Sequence, residues 1–142
     1  MRHYLQDYIG YKLVQIVKQL RHRAEEALNT LHLHPGQEML LFQLWNEEGL
    51  TQSQLVENLR VEPPTITKAL QRMEHAGFIA RTQDVEDARV FRVYLTPKGR
   101  EIQAEVQNIW DALEAQTVKG LSEVEKALLG RLLDQIDQNF SA

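Results

Sequence analysis

Between Thr51 and Leu95 the spacing of apolar side chains changes period once, and that change restricts the chain to few folds. Leu55, Val56 and Leu59 form a short helical pattern that breaks at Arg60 to Glu62. Pro63-Pro64 then open a second helix, where a fixed φ and a missing N–H are tolerated in the first turn. In it Ile66, Ala69, Leu70 and Met73 fall at i, i+3, i+4 and i+7 and share one inward stripe, leaving Thr65, Thr67, Lys68, Gln71, Arg72 and His75 outward. After Gly77 the period becomes 2: Phe91, Val93 and Leu95 alternate with Arg92 and Tyr94, and Ile79 to Gln83 supplies an antiparallel partner. The connection Asp84-Val85-Glu86-Asp87-Ala88-Arg89 is polar and longer than a tight turn, so its tip should project into solvent. Helix, turn, helix and hairpin in this order predict a mainly α (α+β) chain built on a winged helix-turn-helix.

Long helices flank this segment. Residues 4 to 31 read as one helix, with Leu5, Ile9, Leu13, Ile16, Val17, Leu20, Ala24, Ala27, Leu28 and Leu31 at spacings of three and four, stopped by His34-Pro35-Gly36. A second helix runs from about Gln37 to Glu48, with Gly49 placed as its C-terminal cap. Thr51-Gln52-Ser53-Gln54 is a capping box that starts the third. Thr96-Pro97 opens a fifth helix to about Lys119, with Ile102, Val106, Ile109, Trp110 and Leu113 inward and Gly120 ending it. A second capping box, Ser122-Glu123-Val124-Glu125, starts a sixth helix carrying Leu128, Leu129, Leu132, Leu133, Ile136 and Phe140. The organisation expected is an N-terminal helix in residues 1–34, a winged helix in 35–100 and C-terminal helices in 101–142.

Composition narrows the functional classes. The 142 residues are 43% hydrophobic and 25% charged, as in a single folded domain. No run approaches the roughly 20 apolar residues that span a bilayer, and Met1-Arg2-His3-Tyr4 lacks the start of a signal peptide, so a cytoplasmic location away from membranes is expected. Without cysteine there is no disulfide, thiolate metal site or thiol switch. The net charge of −4 hides a division: residues 60 to 100 hold 8 basic and 5 acidic side chains, against 5 and 7 before them and 3 and 8 after. Screening over about 8 Å at physiological salt lets that basic middle act independently of the acidic flanks.

The outward side chains of the second short helix suit DNA. Lys68 and Arg72 can donate to phosphates or to guanine, Gln71 can pair with adenine, and the Thr65 and Thr67 methyls can meet thymine. Arg89 at the wing suits the negative potential of a minor groove. The alternative from a different class is a winged helix that serves as a protein-interaction module, with hairpin and helix facing an acidic protein.

From Thr51 to Arg100 the residues resemble the winged helix of the MarR family of bacterial transcriptional regulators. The matching pieces are Thr51-Gln52-Ser53-Gln54-Leu55, Thr65-Ile66-Thr67-Lys68, Met73-Glu74-His75-Ala76-Gly77-Phe78-Ile79-Ala80-Arg81, the wing Asp84 to Arg89, and Leu95-Thr96-Pro97-Lys98-Gly99-Arg100. The resemblance implies that the helix from Pro64 to Ala76 is a recognition helix, with Pro64, Thr65, Thr67, Lys68, Gln71 and Arg72 at the DNA. It implies that Arg89 enters a minor groove, that Asp87 orients it, and that Arg81 touches phosphate or wing. It further implies a homodimer through the outer helices on a pseudo-palindromic double-stranded operator, acting as a repressor. A small, often phenolic or otherwise aromatic, ligand is expected to release it from a pocket between dimer helices and winged helix, with Tyr4, Tyr8, Tyr11, Phe42, Trp45 and Trp110 on helices that could line it. Three positions depart from the family pattern. Pro64 stands where serine is frequent, Val56 where alanine is frequent, and Arg60 where a turn glycine is common, so that turn either avoids positive φ or carries a small strain cost.

Neither metal chemistry nor catalysis is expected. His32 and His34 are separated by about 200° on a helix, and His3, His22 and His75 do not complete the three or four converging ligands of a zinc site. Surface histidines are the better reading. No phosphate-cradling glycine loop, nucleophile elbow or HExxH pattern occurs, and Glu47-Glu48 and Asp84/Asp87 read as solvated loop carboxylates. No cofactor is expected.

Overall fold

The computed structural model describes residues 3–141, which divide into two compact units, residues 3–110 and residues 111–141. In the first unit a short 3₁₀ turn, Leu5–Asp7, precedes α1 (Ile9–Asn29), α2 (Gln37–Asn46), β1 (Leu50–Thr51), α3 (Gln52–Leu59), α4 (Pro63–His75), β2 (Ile79–Gln83), β3 (Phe91–Leu95), α5 (Pro97–Glu101) and the start of α6 (Gln103–Thr117). The second unit holds the rest of α6 and α7 (Glu123–Phe140). The fold is thus mainly α with one small antiparallel sheet, in the order β1-β3-β2.

The core explains why the two periods predict the elements. Leu40, Leu41 and Leu44 from α2, Leu55 from α3, and Ile66, Leu70 and Met73 from α4 are buried with Phe78, Ile79, Val93 and Leu95 from the hairpin. Complete burial contributes about 1.5–3 kcal/mol for each such side chain, enough to fix which face of each short helix turns inward. Both capping boxes form: Thr51 Oγ1 accepts from the Gln54 N–H at 3.1 Å while the Gln54 side chain accepts from the Thr51 N–H at 2.8 Å, and Ser122 and Glu125 repeat the arrangement. Pro63 and Pro64 occupy the first turn of α4, one residue earlier than the Pro64 start expected for the recognition helix.

Several boundaries differ from the periodicity. The helix expected over 4–31 is interrupted at Tyr8, which is extended, and stops at Asn29. Leu5 and Ile9 are mostly exposed, so the apolar spacing there has no core to pack on, and an unsupported first turn is marginal. The second helix ends at Asn46 rather than Glu48; Glu47 caps it, while Gly49, at φ +83°, turns the chain into β1 instead of closing the helix. That two-residue strand escapes detection by alternation; Leu50 pairs with Val93 and Thr51 with Arg92. The fifth helix is divided at Ile102 and ends at Thr117, short of Lys119, although the Ile102 and Val106 N–H groups keep bonds to the Lys98 and Ile102 carbonyls across the break. Arg60 takes the left-handed conformation, at φ +54° and ψ +44°, so the turn where glycine is common keeps its geometry here with an arginine.

Candidate nucleic-acid interface

The α4 side chains divide by angle about the helix axis. At about 100° per residue, Ile66, Ala69, Leu70 and Met73 occupy one side, while Pro64, Thr65, Lys68, Gln71, Arg72 and His75 share an arc of about 120° on the other. Those six are exposed. Thr67 sits at the border of the two arcs and is half-buried. Its hydroxyl accepts from Gln52 Nε2 at 2.6 Å and donates to the Pro63 carbonyl at 3.0 Å, so it joins α3 to the first turn of α4. Gln52 was not singled out by the sequence; a polar residue in a capping box reads as a helix start and nothing more.

The C-terminal end of α4 is fixed by the chain that follows. Lys98 Nζ donates to the Ala76 carbonyl at 2.7 Å and lies 4.5 Å from the Phe78 ring centroid. Arg81 shares the inward face of the hairpin with Ile79, because its Cα pairs with that of Val93. It therefore turns toward α4 and grips Glu74 through Nε at 3.3 Å and Nη2 at 3.1 Å. The guanidinium holds the Glu74 carboxyl below its usual range, chiefly through that side-chain hydrogen bond. The resemblance implies a phosphate or wing contact for Arg81; in the structure its fork is occupied by a carboxylate of α4.

The wing carries Arg89 outward. Its side chain is 91% exposed and is held only at one edge, where Asp87 accepts from the Arg89 Nε at 3.2 Å, Nη2 at 3.4 Å and backbone N–H at 3.0 Å. The side-chain hydrogen bond from Arg89, followed by its backbone N–H, draws the Asp87 carboxyl below the usual carboxylate range. Loop order comes from Asp84, whose carboxylate accepts the N–H groups of Glu86 at 3.2 Å and Asp87 at 3.1 Å, and from Gln83 Nε2, which donates to the Ala88 carbonyl at 3.2 Å. Asp84 is thus tied into the loop and not freely solvated, while Asp87 lies against Arg89, the contact that an orienting role requires. Glu48 is tied as well: Oε1 accepts the Leu95 N–H at 2.8 Å and Arg100 Nη2 at 3.0 Å, and the first of these is the main reason its carboxyl is lowered.

Sequence reasoning passed over one further arginine. Arg92 lies on the central strand, half-buried, and its Nε donates to Asp84 Oδ1 at 2.7 Å while Nη1 donates to the Gly49 carbonyl at 2.8 Å. Strand alternation places it on the outward face, but spacing alone does not reveal that a long side chain there reaches both flanking strands.

One cleft of about 180 Å³ opens inside the first unit, between the chain at His34 to Gln37 and α4. Its wall is largely apolar, with Leu40, Val61, Ile66 and Ala69, and Thr65 and Arg72 also line it. Tyr4, Tyr8, Tyr11, Phe42, Trp45 and Trp110 are not among its lining residues. Among the described residues no cluster of three or more His, Asp or Glu is placed to hold a metal ion, and no helix is long and apolar enough to cross a membrane.

Residues 33–91 match the model of the MarR family. The HTH-type transcriptional regulator TtmR of Methylorubrum extorquens is 32% identical over 117 residues, which are 82% of this chain; the chain spans 60% of that protein's length. Among solved structures, the transcriptional regulator SlyA superposes with a TM-score of 0.88 at 27% identity, over 94% of each chain. The MepR–DNA complex of Staphylococcus aureus superposes at 0.89 and 24% identity, over 94% of this chain and 98% of that one, a likeness of fold.

Proposed function

The chain belongs to the MarR family of transcriptional regulators, and from that premise we propose that it is a sequence-specific binder of double-stranded DNA, a homodimeric repressor that a small ligand releases. The observation that carries the reading is the exposed arc of Pro64, Thr65, Lys68, Gln71 and Arg72 on α4, with the exposed Arg89 on the wing that follows it in the chain. The arc is the width of a helix face that enters a major groove, and an arginine held by its edge keeps its remaining donors for a narrow minor groove. Lys68 and Arg72 supply phosphate or guanine contacts, Gln71 an adenine contact and Thr65 a methyl for thymine. Asp87 sets the direction of Arg89. MepR, a neighbour of the same fold, is captured on DNA.

Dimerisation is supported by the apolar faces left open in a single copy. On α7, Val124, Leu128, Leu129, Leu132 and Leu133 are all more than a third exposed, and on α1 so are Ile9, Val14, Ile16 and Val17. Exposed apolar surface of this extent marks association, and a two-fold dimer presents two reading helices to successive major grooves of a pseudo-palindrome. Release by ligand is supported by the cleft against α4: a small, largely apolar molecule there touches Thr65, Ile66, Ala69 and Arg72, and so favours whichever placement of the reading helix accommodates it.

Selection of preferred duplexes from a random pool tests the reading. A single palindrome is expected, favoured by about a thousandfold or more over random duplex, with affinity falling steeply as salt rises. Binding that ignores sequence and salt would instead point to a protein-interaction module.

A further inference from the structure

We propose that Arg92 is a positioning residue for DNA binding: it clamps the wing to the turn before β1 and so sets where Arg89 meets the DNA. The proposal rests on the DNA-binding reading above and adds a residue to it. Arg92 sits on the middle strand of the three, its Cα paired with Thr51 on one side and Thr82 on the other. Its guanidinium reaches past both neighbours. Nη1 takes the Gly49 carbonyl, in the turn that leads into β1, and Nε takes Asp84, the first residue after β2.

From that clamp a continuous set of bonds runs to the wing tip. Asp84, whose side chain is only 18% exposed, accepts the backbone N–H of Asp87, and the Asp87 carboxylate accepts the Arg89 N–H and Nε. The Asp84 N–H closes the loop base by donating to the Val90 carbonyl at 2.8 Å. At the other end Gly49 is itself fixed, its N–H donating to the Val93 carbonyl at 2.8 Å. A loop of six polar and small residues has little apolar contact to order it; Val85, at its tip, is fully exposed. The charge-assisted pair at its base supplies the order instead, and a planar guanidinium with donors in a fixed fork is the side chain that can hold two acceptors at set positions. Without the clamp the hairpin end is free to swing, and Arg89 must pay the entropy of alignment when it binds.

Direct contact between Arg92 and phosphate is the rival explanation, and the sign of one substitution separates the two. Asp84→Asn removes a negative charge beside a polyanion, so simple electrostatics predicts tighter binding. Positioning predicts weaker binding, by about tenfold, because the clamp loses its charged acceptor. Affinity of the full-length D84N protein for its selected duplex decides this, and unchanged or tighter binding overturns the proposal. Arg92→Gln should likewise cost about tenfold in the otherwise native protein but nothing further when Arg89→Ala is already present, since its effect passes through Arg89. An equal loss in both backgrounds overturns it.

A third measurement needs no DNA. Amide hydrogen exchange on the R92Q protein should speed up at Glu86 and Asp87 by about tenfold or more while Leu70 and Met73 in α4 keep their native protection. Wing exchange that stays native, or that rises in step with α4, overturns the proposal. If the unaltered protein selects no duplex, it is the DNA-binding reading that fails, and the exchange measurement still decides whether Arg92 orders the wing.

Discussion

Gln52 and Thr67 meet at 2.6 Å across the two helices of the helix-turn-helix, and the same Thr67 hydroxyl donates to Pro63 in the turn below. Proline at the first two positions of α4 leaves that end with fewer N–H donors and no side-chain cap, so this pair supplies the cross-brace a cap would otherwise give. Thr67→Val keeps shape and loses both bonds. A cost of about 1–3 kcal/mol in urea unfolding is expected, from about 0.5–1.5 kcal/mol for each of the two hydrogen bonds. Thr67→Ser keeps the hydroxyl and removes the methyl; with the hydroxyl turned toward Gln52, near-native stability and duplex preference are expected. Relaxed preference at one base pair in the Ser variant would show that the methyl reads thymine after all.

Within the segment Leu95-Thr96-Pro97-Lys98-Gly99, Gly99 has no room for a side chain. A Cβ built there would lie 2.2 Å from the Phe78 carbonyl oxygen and 3.1 Å from Leu95 Cδ2, and the first obstacle is backbone. The Thr96 hydroxyl accepts the Gly99 N–H and Trp45 Nε1 donates to the Gly99 carbonyl at 2.9 Å, so the turn cannot retreat without breaking both. Gly99→Ala should destabilise the protein by about 3 kcal/mol, at the upper end of what overpacking costs. Chemical denaturation measures it directly. A loss below about 0.5 kcal/mol would mean that the helix entry shifts freely.

Much of this was legible in the chain because local signals and burial agree. In the stripe that the spacing turns inward, Ile66, Leu70 and Met73 are buried and Ala69 half-buried, and both capping boxes close as their Ser/Thr-x-x-Gln/Glu pattern requires. Legibility fails where tertiary contact decides. β1 has only two residues and exists because β3 offers it an edge, so no alternation within Leu50-Thr51 announces it. At Leu5 and Ile9 the apolar spacing is helical, yet neither has a core beneath it and the helix starts later. The DNA-facing candidates on α4 follow from angle alone, whereas the engagement of Arg81 with Glu74, of Thr67 with Gln52 and of Arg92 with Asp84 depends on how long side chains cross between elements. Spacing along one element carries no record of such crossings.

Salt dependence distinguishes the basic residues by what already holds them. Each phosphate neutralised contributes about −0.9 to the slope of log affinity against log salt. Lys68 is exposed on the reading face of α4, so Lys68→Ala should reduce the slope by about that amount if it holds phosphate, or cost about 1–3 kcal/mol at one base pair if it reads a base. Arg81 is already neutralised by Glu74, and Arg81→Ala should leave the slope unaltered. A change of about 0.9 for Arg81→Ala would show that its guanidinium leaves Glu74 for the DNA.

Glu38 gives the protein a titration unlike that of its surface carboxylates. Its side chain is buried at the start of α2, where it accepts the Gly36 N–H at 3.0 Å, and burial pushes its pKa up more than that bond pulls it down. A carboxyl whose folded pKa lies above its unfolded value of about 4.5 favours folding while protonated and opposes it once ionised. Its stabilising contribution is therefore complete below that unfolded value and is lost as pH rises through the raised folded one. Glu38→Gln keeps an oxygen for Gly36 and removes the charge. The variant should have a higher urea midpoint than the native protein at pH 7, and the difference should close as the pH is lowered through the folded pKa toward 4.5. A difference independent of pH would show that packing, not ionisation, sets the effect.

The open face of α7 yields the last expectation. Leu128, Leu129, Leu132 and Leu133 are between 37% and 50% exposed in a single copy, and their spacing of three and four keeps them on one side of a helix whose Ser122 capping box makes its start independent of any partner. If a second copy covers that face, an aspartate there must lose its hydration against apolar side chains, at a cost of several kcal/mol across the two-fold axis. The double variant Leu128→Asp, Leu132→Asp should then sediment as a monomer at micromolar concentration where the native protein is a dimer. Its α7 should stay helical by circular dichroism, because both positions are partly solvated within one chain. Such a monomer should bind a half-site weakly and lose the advantage of the full palindrome. A variant that remains dimeric would place the contact between copies elsewhere, with the exposed row on α1 the next surface to alter.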